Sequence, residues 1–285
     1  MPNLRLMSQN QWYWSDNRPE WEALGLDSSA ATRMHGHIRV LQELLPDVLG
    51  CQEMTPEMQQ YFKFYCQDAG ISNYALIWGN YTPIIYRADR LELVDTEYLR
   101  FPTEIEGLPA KYNDGGSKGA NLAVFRCKEN GKMFIFLTTH LWFRRGNPAH
   151  PRYTPGSNEA RSHQLRLCKD MIARYRKTYG DLPIVLLGDL NPGSDWEALL
   201  DAMFDQGYEH AHDLAVEYAT EDDGYNTTTT KSPGTWRHLH YLHNAYDHIL
   251  LKDWPAESIR RFDRYMPDYY LTVSDHAPVW IDVVL

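Results

Sequence analysis

The stretch Leu182-Pro183-Ile184-Val185-Leu186-Leu187-Gly188-Asp189-Leu190-Asn191 sets the pattern of the chain. Its apolar run is too short for a helix and reads as a strand buried on both faces, ending at a carboxylate and an amide. The arrangement recurs. Asn10 follows Leu6-Met7-Ser8-Gln9, Glu53 follows Val48-Leu49-Gly50-Cys51-Gln52, and His140 follows Phe134-Ile135-Phe136-Leu137-Thr138-Thr139. In the opposite sense, Asp247 and His248 precede Ile249-Leu250-Leu251, and Asp275 and His276 precede Pro278-Val279-Trp280. Any one of these is the ordinary cap or turn at a strand end. Their repetition in one chain points to strand ends that meet at a common edge.

Further strands are expected at Leu4 to Ser8, Asp47 to Cys51, Pro83 to Tyr86, Leu91 to Tyr98, Asn121 to Arg126, Lys132 to Thr139, Tyr246 to Leu251 and Pro278 to Leu285. The turn Glu129-Asn130-Gly131 joins two of them as a hairpin. Ser28 or Ser29 caps a helix to about Leu45, with Ile38, Leu41, Leu44 and Leu45 at helical spacing and Pro46 as its stop. Ser157 or Asn158 caps a second helix to about Tyr179, striped by Leu165, Leu167, Cys168, Met171 and Ile172. A short helix is expected from about Asp195. Strands dominate and helices cover them. An α+β sandwich of two packed sheets fits this order better than a doubly wound parallel sheet, because hairpins interrupt the alternation. No repeat or linker divides residues 1–285, so one domain is expected.

With 285 residues, 43% hydrophobic and 23% charged, the composition is that of a globular protein with ample core. The net charge of −10 repels polyanions at long range and disfavours tight non-specific duplex binding. No apolar run reaches the roughly 20 residues that cross a bilayer, so no membrane anchor is expected. Cys51, Cys66, Cys127 and Cys168 lack metal-ligand spacing and read as reduced core thiols. With no leader-like pattern at the N-terminus, they point to the cytoplasm.

The segments Gln52-Glu53, Thr139-His140-Leu141, Gly188-Asp189-Leu190-Asn191, Tyr246-Asp247-His248-Ile249 and Ser274-Asp275-His276-Ala277-Pro278 resemble, in order and spacing, the endonuclease/exonuclease/phosphatase superfamily. Ile84-Ile85-Tyr86-Arg87-Ala88-Asp89-Arg90 and Glu159-Ala160-Arg161-Ser162-His163-Gln164 add to it. The resemblance runs from Asn10 to His276. It implies a four-layered α/β/β/α sandwich of the deoxyribonuclease-I-like kind, and metal-dependent hydrolysis of phosphate esters.

The resemblance also implies roles. Glu53 is the chief ligand of Mg²⁺ or Mn²⁺, helped by Asn10 and Asp275; such an oxygen-rich set suits these hard ions better than zinc. Asp189 orients and deprotonates the attacking water, and Asn191 holds that water or a phosphoryl oxygen. His276 contacts the scissile phosphate, with Asp247 holding its ring. His140 donates to the phosphate or is the acid, an office that water on the metal also fits. His140 brings the chain nearer to pancreatic-type deoxyribonucleases, neutral sphingomyelinases, deadenylases and inositol polyphosphate phosphatases than to abasic-site endonucleases. Trp12, Trp142 and Leu190 depart from common family residues.

Specificity is expected from loops around the strand ends. Trp12-Tyr13-Trp14 either stack on a base or sugar or pack an extended N-terminal segment. Trp142 reshapes the rim. Arg144, Arg145 and Arg152 either bind a second phosphate or are solvated. Segment 221–236 is expected to be a mobile loop beside the site. His210, His212, His238, His240 and His243 are too irregularly spaced for a metal cluster. The expected partner is a small or single-stranded phosphate ester; no protein partner is evident. The alternatives are a nuclease on DNA or RNA, and a binding protein on the same fold that has lost catalysis. Retention of the site residues favours the hydrolase.

Overall fold

The computed structural model describes residues 3–13, 17–191, 199, 203, 205–218, 246–265 and 267–285. The expected helix near Asp195, Trp14, the loop at 221–236, and His238, His240 and His243 lie outside them.

Two sheets carry the fold. The first runs β10-β12-β13-β1-β2-β4-β3, with β1 Asn3–Asn10, β2 Val48–Gln52, β3 Tyr74–Ile77, β4 Ile84–Arg87, β10 Glu217–Tyr218, β12 Ile259–Arg264 and β13 Val279–Val284. The second runs β5-β6-β7-β8-β11-β9, with β5 Leu91–Arg100, β6 Gly119–Cys127, β7 Met133–His140, β8 Ile184–Asp189, β9 Glu209–His210 and β11 Asp247–Lys252. After the single helical turn α1 (Pro19–Glu22), helices α2 (Ala30–Leu44) and α3 (Pro56–Asp68) pack on the first sheet through Met34, Leu41, Met58, Phe62 and Cys66. Helix α4 (Ser157–Tyr179) packs on the second through Leu165, Cys168, Met171 and Ile172. Between the sheets, Leu4, Leu6, Phe125, Phe136, Val185, Leu187, Ile249 and Ile281 form the central core. The layers are therefore α/β/β/α, as expected, with a core at each of the three interfaces.

The four cysteines are free and buried. The hairpin turn forms as read, with Gly131 left-handed and its N–H donating to Cys127 O at 2.8 Å. The α2 cap is Ser29, whose hydroxyl accepts from Thr32 N at 3.4 Å. The α4 cap differs from expectation. Gly156 takes that position at φ 76°, and Ser157 lies inside the helix, its hydroxyl donating to Thr154 O at 2.7 Å. Helix α3 and strands β3 and β12 were not expected. Helix α3 is capped by Thr55 and opened by Pro56.

Strands β1, β2, β7 and β8 run about two residues beyond their apolar runs, so Asn10, Gln52, His140 and Asp189 are terminal ladder residues. Glycines allow the close approach behind them. A Cβ on Gly50 of β2 would stand 2.5 Å from Leu187 Cδ1 and 2.7 Å from Thr138 Cβ on the facing sheet. Gly188, at φ 140°, would put its Cβ 1.9 Å from Thr139 O.

Candidate functional site

Register decides what meets at the sheet ends. His140 pairs with Asp189 across the parallel β7–β8 ladder, and Asp189 pairs with Asp247 across the antiparallel β8–β11 ladder. Three chemically active side chains thus stand in a row on one sheet. On the other, Asn10 pairs with Gln52, which delivers Glu53 one residue later. Asn10 Nδ2 donates to Asp189 Oδ2 at 3.0 Å and ties the two sheets together. Ser274 Oγ donates to Asn10 O at 2.7 Å and accepts from His276 N at 3.2 Å, which brings in the third segment.

Glu53 and Asn191 both follow strands in the left-handed region, at φ 58° and 50°. Such conformations in non-glycine residues cost energy and concentrate at functional sites. Here they are held from outside: Glu53 Oε2 accepts from Tyr13 N at 3.0 Å, and Asn191 N donates to Asp189 Oδ1 at 3.0 Å.

His276 Nδ1 lies 2.6 Å from Asp247 Oδ2. Burial alone lowers the His276 pKa, but the Asp247 carboxylate, then Asp275 and Asp189, carry it well above the usual value. Its protonated form is therefore the one the site favours. His140 goes the other way. Burial, then the Lys118 ammonium and His276, hold it neutral well below the ordinary range. Burial pushes the Asp189 carboxyl up from 3.8 to about 7, against the pull of His276. Burial also raises Asp275, opposed by His276 and reinforced by Glu53.

Ligand atoms of Glu53, His140 and Asp189 lie within 4.8 Å of one another, and so do those of Asp189, Asp247 and His276. Carboxylates with one imidazole fit a hard divalent ion such as magnesium or manganese. Of the expected ligands, Glu53 belongs to the first group, Asn10 is bonded to Asp189, and Asp275 feels the Glu53 charge. Glu53 and His276 are thus joined through an unbroken set of neighbours.

No family model matches this sequence, and no curated protein does. Solved structures do. One is an endonuclease/exonuclease/phosphatase protein of Bacteroides vulgatus, 18% identical, with TM-score 0.71 over 100% of both chains. Another is a mannosyl-6-phosphatase of Bacteroides thetaiotaomicron, 17% identical, with TM-score 0.66 over 99% of this chain and 100% of the other. A third is TDP2 of D. rerio, solved with a single-strand DNA product, 17% identical, with TM-score 0.66 over 100% of both chains. The chain has the endonuclease/exonuclease/phosphatase fold. In it, the strand ends described above form one edge of a deoxyribonuclease-I-like sandwich.

On this fold the two expected rim tryptophans are not rim groups. Trp12 is buried, with its ring 5.5 Å from that of Trp21 and with Arg18 and Arg33 over it. Trp142 is 2% exposed; its indole N–H donates to Ser157 Oγ at 3.1 Å, and its ring meets Tyr112 edge-on. Each ring is buried against the protein's own side chains, which removes the open faces that stacking requires. Arg144 lies over the Phe143 ring. Arg145 reaches further in. It donates to Tyr246 Oη at 2.7 Å and to Asn191 O at 3.4 Å, and the Tyr246 ring lies 6.3 Å from that of His276.

Two charged residues were missed by sequence reasoning. Buried Arg33 donates to Gln11 O, Trp12 O and Val273 O, clamping the chain after Asn10 to the chain before Ser274. Burial lowers its pKa to about 10, with Asp275 opposing. Lys118 has its ammonium 2.6 Å from His140 Nε2. The hairpin itself held that signal: extended from its turn, it pairs Gly119 with His140 and so leaves Lys118 beside the histidine.

Proposed function

We propose that the protein is a Mg²⁺- or Mn²⁺-dependent phosphoesterase acting on a small or single-stranded phosphate ester. The observation that carries this reading is the continuous chain of contacts from Glu53 through His140, Asp189 and Asp247 to His276 at paired strand ends. A phosphate ester resists attack because its oxygens repel the nucleophile and its alkoxide leaves poorly. The site must neutralise, orient and supply a proton.

Asn10, Glu53 and Asp275 would hold the divalent ion, with Asp189 adjoining; the ion supplies Lewis-acid charge to a phosphoryl oxygen. Asp189, whose carboxyl burial raises to about 7, is matched to accept a proton from the attacking water at neutral pH. Asn191, fixed by its N–H to Asp189, presents its amide to that water or to a phosphoryl oxygen. His276 donates to the phosphate as imidazolium, and Asp247 keeps its ring turned inward. Arg145, beside Tyr246, meets a further anionic group of the substrate. The single domain, the site roles and a cytoplasmic setting belong to this proposal. Among the described residues no helix is long and apolar enough to cross a membrane.

The fold neighbours include a sugar phosphatase and a protein solved with single-strand DNA, so both substrate kinds belong in the test. Release of p-nitrophenol from bis-p-nitrophenyl phosphate is expected with Mg²⁺ or Mn²⁺ and is lost in Asp189→Ala. A panel of sugar phosphates, inositol phosphates, sphingomyelin, RNA, single-stranded DNA and plasmid then ranks substrates. No turnover of any ester with either metal would favour a phosphate-binding protein. Efficient cleavage of plasmid would make the protein a duplex nuclease.

A further inference from the structure

Lys118 is a buried cation in direct contact with His140. Its side chain is buried, with 4% of the residue exposed. Its backbone is fixed at both polar atoms by one buried side chain: Asn113 Oδ1 accepts from Lys118 N at 2.9 Å, and Asn113 Nδ2 donates to Lys118 O at 2.9 Å. The same amide nitrogen donates to Phe101 O at 2.7 Å, which anchors the clamp to the end of β5. The ammonium meets His140 Nε2 at 2.6 Å and lies 5.3 Å from the Phe143 ring centre. Burial lowers its pKa, opposed through space by Glu53, Asp189 and Asp114, and no carboxylate of the described residues stands within ion-pair distance.

Burying an ammonium is costly unless charge and hydrogen bonds compensate it. Among the described residues its only direct side-chain acceptor is the neutral His140 imidazole, and an ammonium has three protons to give. The arrangement leaves donor capacity unspent at the place where Glu53, His140 and Asp189 converge. Of this cluster Glu53 is the most accessible, its side chain 18% exposed against 1% for His140 and 2% for Asp189. A preorganised cation with spare donors, held off the acids rather than neutralised by them, is suited to an anion that arrives with the metal.

We propose that Lys118 is an anion-contact residue that holds a non-bridging oxygen of the phosphoryl group, with His140 serving as its acceptor strut. Two things follow for the site. The proton donor on the β7 side is then the ammonium, because a His140 nitrogen that accepts from Lys118 has no proton to offer there. The ligand class is an oxyanion with at least two free oxygens, one for the metal and one for Lys118, which phosphate monoesters, diesters and inorganic phosphate all satisfy.

The inference rests on the phosphoesterase reading, but binding separates the two. Inorganic phosphate binding to the Mn²⁺-loaded protein is measured by calorimetry, and Mn²⁺ binding by electron paramagnetic resonance, in wild type, Lys118→Met, Lys118→Arg and the surface control Lys132→Met. Lys118→Met is expected to weaken phosphate about tenfold or more, to keep Mn²⁺ affinity, and to lower kcat roughly 10²-fold. Lys118→Arg should recover part of the phosphate affinity, and Lys132→Met should match wild type. Wild-type phosphate affinity in Lys118→Met overturns the proposal, and so does a parallel loss of Mn²⁺ and phosphate, since that assigns Lys118 to support of the acids. Should Lys118→Met not fold, ¹⁵N-lysine NMR of wild type decides: the Lys118 ammonium signal must move when phosphate is added, and a stationary signal overturns the assignment. Absence of turnover in wild type with phosphate still bound through Lys118 would refute the hydrolase while leaving this contact intact.

Discussion

Replacing Asp189 by Asn is expected to make the metal-free protein more stable at pH 8 and not at pH 5. Asp189 is 2% exposed, and burial raises its carboxyl from 3.8 to about 7. A carboxyl whose folded value lies above its unfolded value binds protons more readily in the folded state. Folding stability therefore falls as pH rises from near 4 through about 7, by at most ~1.4 kcal/mol per pH unit. A shift of this size corresponds to about 4 kcal/mol of strain at pH 8, and sharing of the titration with His276 reduces it. Asn removes the charge but also one acceptor, because Asp189 Oδ1 accepts from Asn191 N and Oδ2 from Asn10 Nδ2. Losing one of those bonds costs about 1 kcal/mol. The net expectation is a gain of roughly 2 kcal/mol at pH 8 and almost no change at pH 5, where the strain accrued since pH 4 and the lost bond, each about 1 kcal/mol, offset one another. Urea unfolding of both proteins in EDTA at the two pH values reads this directly. A stability difference that does not change between pH 5 and 8 would refute the strained carboxyl and, with it, the assignment of Asp189 as a base tuned to neutrality. Adding Mn²⁺ should stabilise wild type by mass action and stabilise the variant as well, since Asn10, Glu53 and Asp275 remain.

The His276–Asp247 pair gives the opposite sign: its contribution is complete below the unfolded histidine value near 6.5 and disappears as pH rises through the raised folded value. NMR of the metal-free protein should show His276 still doubly protonated above pH 7, and Asp247→Asn should return it to the ordinary range. Trp12→Ala and Trp142→Ala should each cost about 3–5 kcal/mol in urea unfolding while leaving KM close to wild type; a raised KM with unchanged stability would restore them to the rim. Gly188→Ala should destabilise by more than about 3 kcal/mol or prevent soluble expression, because its Cβ would meet Thr139 O between two paired strands; a normal melting temperature would contradict that close approach.

Sequence alone located the polar strand ends that come together, and for a simple reason. A strand buried on both faces is an apolar run, and a polar group that ends it is visible without knowing the partner strand. Asn10, Glu53, His140, Asp189, Asp247 and His276 were legible in this way, and so were α2 and α4, whose buried faces repeat at helical spacing. The limits of the same signal show in the elements it missed. Strand β12, Ile259-Arg260-Arg261-Phe262-Asp263-Arg264, reads as polar, yet Ile259 and Phe262 join the central core and Arg261 covers the Trp280 ring. Helix α3 had its Thr55-Pro56 start and its Met58, Phe62, Cys66 stripe, diluted by polar residues between them.

What only the tertiary structure decided was register and depth. Register is a relation between strands, set by how apolar faces and close glycine contacts fit across the sandwich, so no single segment encodes that His140, Asp189 and Asp247 stand side by side. Depth is set by what the rest of the chain lays over a residue. It turned Trp12 and Trp142 from rim groups into packing, and it buried Arg33 and Lys118, two cations that sequence leaves on the surface, beside the cluster of strand ends.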